Sequence, residues 1–528
     1  MYLNLKSIIL SKKLLLLTIS TAFLFTESYA QLRENYKADI EVQAIGTTNG
    51  TVPFWMRSNQ FGSIPLSGAS GSLIGRFSKN YSELTPNEEI YGRERLIDWG
   101  FGLEARANGG KTSNLQLIQA YVKAKVSIFE LKVGRTKDVM GLNGDTTLSS
   151  GNFAVSGNAL GMPKVEISIP EYWRIPILDG LFSVKGTFSN SWLGQIKVLD
   201  SIVVYPRPDR PDSKLVYPIF DNRPETYLHQ KSLYVRLGKK NWKMQLYGGF
   251  SHQAQWGSER GVYGSNFKLS PLQTFLYVAT GRAYGAPGIP TSKIGNQLGS
   301  IDLGIEYDFN NFGLMAYRQF FYDVGALSKL ANAADGLTGL AITNKNYEQG
   351  RTGVQFKKFL VEYFYSKNQA GYPWSTPTKS GDEDYYNNYY YVKGWSYYRQ
   401  GIGSPLITLR EDAKSGQANR DIEYFLNNRV KAIHLGVEGS INSINLVSKI
   451  TWSRNYGTFG TSKYGSSTGV IRDENNLNIF KPVNQFSFHL QGDIKVKESL
   501  TLGCSTAFDL GKLLNNSSGI LVSLKKSF

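Results

Sequence analysis

Apolar and polar residues alternate at period two over long stretches of the chain. In Gln485 to Val496 the even positions are Phe486, Phe488, Leu490, Gly492, Ile494 and Val496, and the odd ones are Gln485, Ser487, His489, Gln491, Asp493 and Lys495. An extended segment with this pattern has one oily face and one wet face. Leu115 to Val126 divides the same way, with Ile118, Ala120, Val122, Ala124 and Val126 against Gln119, Tyr121, Lys123 and Lys125; Ile301, Leu303, Ile305 and Tyr307 likewise oppose Asp302, Gly304 and Glu306. The alternation predicts strands near 37–45, 99–108, 114–126, 128–134, 164–170, 181–192, 230–238, 241–252, 273–281, 299–309, 312–322, 351–357, 359–366, 430–440, 444–454, 484–496, 500–510 and 518–527. Many reach the ~9–11 residues that cross a bilayer on a tilt, beyond the ~5–6 usual in globular sheets.

In a soluble sandwich the apolar faces would meet a second sheet; in a membrane barrel they meet lipid while the polar faces line the interior. Lys, Glu, Asp and Gln recur on the second face, which fits a lumen, and Trp99, Phe101, Trp242, Trp452 and Phe508 at strand ends fit two interfacial girdles. The expected fold is all-β: a transmembrane antiparallel β-barrel of about 18 strands with long extracellular loops. Gly109-Gly110 and Asn310-Asn311 read as short turns, whereas 135–163, 193–229, 253–272, 282–298, 323–350, 367–429 and 455–483 read as long connections. The longest, 367–429, is an aromatic-rich surface loop.

The first residues change the picture from any barrel to an exported one. Lys6, Lys12 and Lys13 precede an apolar run from Leu14 to Phe25, and Ser28-Tyr29-Ala30 offers a small-x-small cleavage site, so 1–30 reads as a signal peptide and 31–528 as the barrel. The chain's formal charge is +17; that leader carries a net +2 (three lysines and Glu27), which leaves +15. A basic exported protein suits anionic partners, and nucleic acid is set aside, leaving acidic polysaccharide and the phosphates of lipopolysaccharide beside outer-membrane lipid. The final Phe528 is the terminal aromatic that bacterial outer-membrane barrels present to their insertion machinery. The lone Cys504 reads as a small apolar residue.

Signals for catalysis are weak. Gly465-Ser466-Ser467-Thr468-Gly469 matches a nucleophile-elbow pattern but sits in a Ser/Gly-rich loop, and His229, His252, His434 and His489 show no metal spacing. Asp382, Glu383 and Asp384 form an acidic cluster that more often is a solvated face. No catalytic residue, metal site or cofactor is therefore expected. The stretch DEDYYNNYYYVKGWSYYRQG, Asp382 to Gly401, is different: Tyr385, Tyr389, Trp395 and Tyr398, with Trp374 upstream, carry flat apolar faces and polar tips that match pyranose rings. Lys393 and Arg399 add cations suited to uronate carboxylates. The alternative is that these rings pack the loop over the barrel mouth.

Three segments together, GTVPFWMRSNQFGSIP (Gly50 to Pro65), TLSSGNFAVSGNALGMPKVEISIP (Thr147 to Pro170) and DYYNNYYYVKGWSYYRQGIGSPL (Asp384 to Leu406), resemble the Wzi capsule-assembly family. The resemblance implies an outer-membrane lectin that holds exported capsular polysaccharide at the cell surface without turnover. It implies polysaccharide contacts from Trp374, Tyr385, Tyr389, Trp395, Tyr398 and Arg399, with Trp55, Arg57 and Asn59 contributing near the mouth or bracing the lumen. Relatives also carry a helical bundle on the periplasmic side; here 31–37 leaves no room for one, and 85–97 allows only a short helix. A passive porin or carbohydrate channel would share the barrel and is the competing expectation.

Overall fold

The computed structural model describes residues 35–528 apart from 83–95, 112, 205–214, 324, 371–382 and 464–477. The leader, the short helix expected near 85–97, the 465–469 pattern, Trp374 and Asp382 lie outside these residues. An 18-stranded antiparallel sheet closes on itself: β1 (Tyr36–Thr47), β2 (Ser70–Lys79), β3 (Ile97–Gly110), β4 (Asn114–Val126), β5 (Phe129–Arg135), β6 (Pro163–Arg174), β7 (Phe182–Gln195), β8 (Glu225–Leu237), β9 (Met244–Trp256), β10 (Asn296–Asp308), β11 (Phe312–Tyr322), β12 (Gly336–Asn344), β13 (Val354–Tyr365), β14 (Val430–Ile441), β15 (Ile444–Asn455), β16 (Val483–Lys497), β17 (Leu500–Gly511) and β18 (Ser517–Ser527). Each strand pairs with its sequence neighbours, and β18 returns to β1 with Lys525 opposite Glu41 and Val522 opposite Ala44. Closure leaves no edge, so every wall strand has partners on both sides for its backbone groups, the condition for crossing hydrocarbon.

The strand total agrees with expectation because opposite errors cancel. Leu73 faces out while Ile74 is buried within, and Leu340 faces out while Leu337 is buried; apolar residues on both faces hid β2 and β12 from a period-two reading. The predicted strand 273–281 is instead a helix, Pro271–Thr280, opened by a Ser270–Gln273 capping box and closed by Gly281 in the left-handed region. The predicted strands 351–357 and 359–366 are one strand, β13, with a bulge between Phe356 and Lys358. In β4 a bulge skips Ile118, which turns into the interior while Leu117 and Val122 stay outside. Gly109-Gly110 ends β3 and is not the turn itself.

Connections 80–96, 127–128, 175–181, 238–243, 309–311, 345–353, 442–443 and 498–499 lie at the end that carries Tyr36 and Phe528; 48–69, 136–162, 196–224, 257–295, 366–429 and 456–482 lie at the other. Outer-membrane barrels keep short turns on the periplasmic side and long loops outside. The outward face is apolar throughout (Leu103, Ile167, Leu233, Leu303, Ile433, Leu502, Val522), and aromatic rings mark its limits: Trp99, Phe129, Trp242, Phe312 and Phe356 near the short turns, Trp192, Tyr363 and Trp452 near the loops. Cys504 shares the outward face with Leu502 and Leu510.

The loop-side part of the lumen is filled. Helix α1 (Phe54–Arg57) and the connection 136–162 fold into the barrel, where Trp55, Leu148, Phe153, Ala154 and Leu160 are buried with Tyr385, Trp395 and Phe425 of the long loop in one core. A second, smaller core sits outside it, where helix α3 (Pro271–Thr280) and the hairpin 283–293 pack on Ala254 and Trp256.

Candidate functional site

The three stretches singled out in the sequence meet inside the barrel. Phe61 N–H donates to Gly157 O at 2.7 Å and Gly62 N–H to Asn158 O at 3.0 Å, joining the first to the second. Ser156 N–H donates to Ile402 O at 3.2 Å, Ser156 Oγ to Gly403 O at 2.7 Å and Asn158 Nδ2 to Gly401 O at 3.1 Å, joining the second to the third. The joint is tight: a Cβ on Gly403 would lie 2.0 Å from Phe153 O and 1.9 Å from the Tyr386 hydroxyl. Phe153 stacks on Phe321 with ring centres 4.0 Å apart and meets Tyr385 edge-on at 5.1 Å.

Polar side chains of the wall bind this plug. Glu362 accepts from Ser149 Oγ at 2.7 Å, Ser150 N at 2.6 Å, Ser150 Oγ at 2.5 Å and the Tyr317 hydroxyl. Asp302 accepts from Leu142 N at 2.8 Å and Asp509 from Phe54 N at 2.8 Å. His434 Nε2 lies 2.6 Å from Leu148 O, a carbonyl that can only accept, so Nε2 carries the proton. Its Nδ1 then accepts from Thr451 Oγ1 at 2.7 Å, and Thr451 accepts from Trp55 Nε1 at 2.9 Å. One relay thus ties both inserted segments to β14 and β15.

Above the plug the long loop presents its outer surface. Tyr398 is 67% exposed and meets Tyr397 edge-on at 4.6 Å. Beside it Arg399 Nε donates to Glu411 Oε2 at 2.8 Å with Nη2 on the same oxygen, and the Tyr424 hydroxyl donates to Glu411 Oε1 at 2.8 Å. Burial pushes the Glu411 carboxyl up, but Tyr424, Arg399 and Lys393 together hold it below its ordinary pKa. Tyr389, 51% exposed, stands edge-on to Tyr390, whose hydroxyl is 3.0 Å from that of Tyr263. The result is a face of flat rings with cations and hydroxyls at their rims.

Beneath that face, carboxyl groups fix the loop. Asp335 accepts from Gln369 N at 2.7 Å, Tyr385 Oη at 2.8 Å and Asn368 N at 2.9 Å; burial nonetheless pushes it up to about 7. Glu383 caps the turn at 326–329, accepting from Ala326 N at 2.8 Å and Asp323 N at 2.6 Å. In helix α2 (Glu259–Tyr263), burial raises Glu259 to about 7; its Oε2 accepts from Gly257 N at 2.8 Å, and its Oε1 has no partner among the described residues.

Residues 57–433 match the family profile described as "Capsule assembly protein Wzi". The chain belongs to the Wzi capsule-assembly family. It is therefore a β-barrel of the bacterial outer membrane, with the long loops outside. Among solved structures it is similar to Wzi of Escherichia coli, described as an outer-membrane protein involved in group 1 capsule assembly and a carbohydrate-binding β-barrel, with TM-score 0.51 and 12% identity over 93% of this chain and 84% of that one. Pseudomonas aeruginosa OccK2, solved with glucuronate, aligns at TM-score 0.41 and 8% identity over 94% of this chain and 99% of that one. OccD3 of the same organism aligns at TM-score 0.40 and 11% identity over 94% and 92%. No curated protein sequence matches.

In this Wzi-family barrel the sequence-derived candidates divide into two sets. Tyr389, Tyr398 and Arg399 are on the outer face. Tyr385 and Trp395 are wholly buried and offer no face to solvent: Tyr385 bonds Asp335 and Asn332, and Trp395 is enclosed in the core. Trp55 belongs to the His434 relay, Arg57 pairs with Asp412 at 3.1 Å, and Asn59 N–H donates to Asn158 Oδ1 at 3.2 Å, so all three brace the plug. Sequence reasoning did not single out Tyr424 and Glu411, whose approach to Arg399 depends on the loop folding back, nor Glu362 and Thr451. Glu362 and Thr451 fall in predicted strands 359–366 and 444–454, but nothing in the sequence named their partners.

Proposed function

We propose that this protein binds exported acidic polysaccharide on its outer face and retains it there without chemical turnover. The observation that carries the reading is the exposed set Tyr398, Arg399, Lys393 and Glu411, with the half-buried Tyr424 bonded to Glu411 and Tyr389 further along the same loop. Exposed tyrosine rings suit the C–H faces of pyranoses, and the cations suit uronate carboxylates. The buried members of the aromatic loop then serve to hold the platform rigid, which lowers the ordering cost of binding. The packed lumen weighs against a permanently open pore, the competing reading. That the family relative is described as carbohydrate-binding supports the ligand class.

The test is capture of surface polysaccharide from the source strain by detergent-folded protein. Tyr398→Ala with Arg399→Ala is expected to weaken capture at least tenfold. The melting temperature should hold, because an exposed ion pair contributes only about 0–1 kcal/mol. Unchanged capture by the double variant would remove the outer face from the function, and saturating ion conductance by the wild type would favour the porin.

A further inference from the structure

Below the plug lies a cavity of about 550 Å³, bounded on the loop side by Met56, Gln60 and Ile64 and walled by β1, β2 and β15–β18. It reaches toward the short-turn end, since Lys525 stands three positions before Phe528 and Lys495 just precedes the turn 498–499. Strand register sets its wall in rows. Lys495, Thr501, Lys525 and Glu41 lie side by side on successive strands, and so do Asn445, Asp493, Gly503, Ser523 and Gln43 one step deeper, followed by Gln491 and Ser505. Adjacent strands are about 4.8 Å apart, so the two lysines spring from backbones roughly 10 Å apart and can converge on one group.

Several lysines elsewhere in the lumen are engaged by carboxylates, Lys132 with Glu130 and Glu166, Lys137 with Glu104 and Lys164 with Asp138 and Glu166, while the buried Lys449 lies over the Trp55 ring. Lys495 and Lys525 form no ion pair among the described residues. The nearby acids are committed elsewhere, Asp39 and Glu41 to Arg76 at 2.6 and 2.8 Å and Asp493 to Gln491 Nε2 at 2.8 Å. Above them His489, 6% exposed, has no partner for its Nδ1 among the described residues. Lys495 is exposed and Lys525 half-buried, so both ammonium groups are open to a ligand, and the buried imidazole of His489 lines the same cavity.

We propose that this cavity is a second ligand site, open to the periplasmic side, that takes a uronic-acid residue of an anionic glycan. Lys495 and Lys525 hold its carboxylate, and Thr501, Ser505, Ser523, Asn445 and Gln491 meet its hydroxyls. The volume suits one or two sugar rings. The site shares only its ligand class with the outer-face reading.

The experiment titrates the detergent-folded full chain with digalacturonate and, as control, its neutral digalactose counterpart. Saturable binding of the acid alone is expected in the wild type and in the Tyr398→Ala/Arg399→Ala variant. It should be at least tenfold weaker in Lys495→Gln/Lys525→Gln and restored in Lys495→Arg/Lys525→Arg, which also shows that the fold survives. No saturable binding by the wild type, or equal binding by the glutamine variant, overturns the proposal. Digalacturonate binding that persists in a protein unable to capture polymer overturns the outer-face reading and leaves this one standing.

Discussion

Replacing Glu362 by alanine should unfasten the plug without opening the wall. The carboxylate is 1% exposed and receives donors from Ser149, Ser150 and Tyr317. The serine hydroxyls can rotate toward other acceptors, but the Ser150 N–H and the buried Tyr317 O–H are left with their demand unmet. An unsatisfied buried donor costs about 1–3 kcal/mol, so the closed plug loses about 2–6 kcal/mol. At ~1.4 kcal/mol per factor of ten, its displaced population rises by about 30-fold or more. The backbone of β13 still pairs with β12 and β14, so heat-resistant barrel mobility on a gel should persist. Planar-bilayer recording and protease cleavage within 136–162 read the change directly. Glu306→Ala is the control, because that carboxylate also faces inward but accepts from the wall's own Tyr247 at 2.5 Å. Equal current and equal cleavage in Glu362→Ala and Glu306→Ala would refute the view that this carboxylate fastens the plug.

Two further outcomes are expected. Glu259 has its folded pKa raised to about 7 by burial, so the folded state binds more protons than the unfolded one and loop stability falls as pH rises from about 4 through 7; Glu259→Gln should abolish that slope, protecting 257–295 from protease by about 3 kcal/mol at pH 8 and changing little at pH 4, and an unaltered pH profile would count against it. Gly403→Ala places a methyl 2.0 Å from a backbone oxygen and 1.9 Å from a buried hydroxyl; overpacking of this kind costs about 1–3 kcal/mol, read as a lowered melting temperature together with leakage in bilayers, and a variant that melts and conducts like the wild type would show that the joint can relax.

The barrel was legible in the sequence because lipid and lumen impose opposite chemistry on alternate residues. Gln485 to Val496 could be placed face by face from its alternation alone, and Phe486, Phe488 and Leu490 do face outward while Gln485, Ser487 and His489 are buried within. Where an apolar residue faces inward the code failed: Leu337 packs in the core formed with the folded-in loop and Ile74 is buried beside Glu41 and Arg106, so β12 and β2 lost their alternation. Helix 271–280 carried its own capping signal, Ser270 with Gln273, which a search tuned to period two passed over.

The sequence also offered nine binding candidates as one class, since a tyrosine that stacks on sugar and a tyrosine that packs a plug have the same side chain. Only tertiary structure separated Tyr398 from Tyr385, by burying one against Asp335 and Phe153 and leaving the other in solvent. The same holds for charge: Lys137 and Lys495 look alike in sequence, and the folded barrel set one against Glu104 and the other at the edge of a polar cavity. Local pattern decides which face a residue takes, because that depends on its own strand. Which group it meets there depends on strands and loops hundreds of positions away, and only the closed and plugged barrel brings those together.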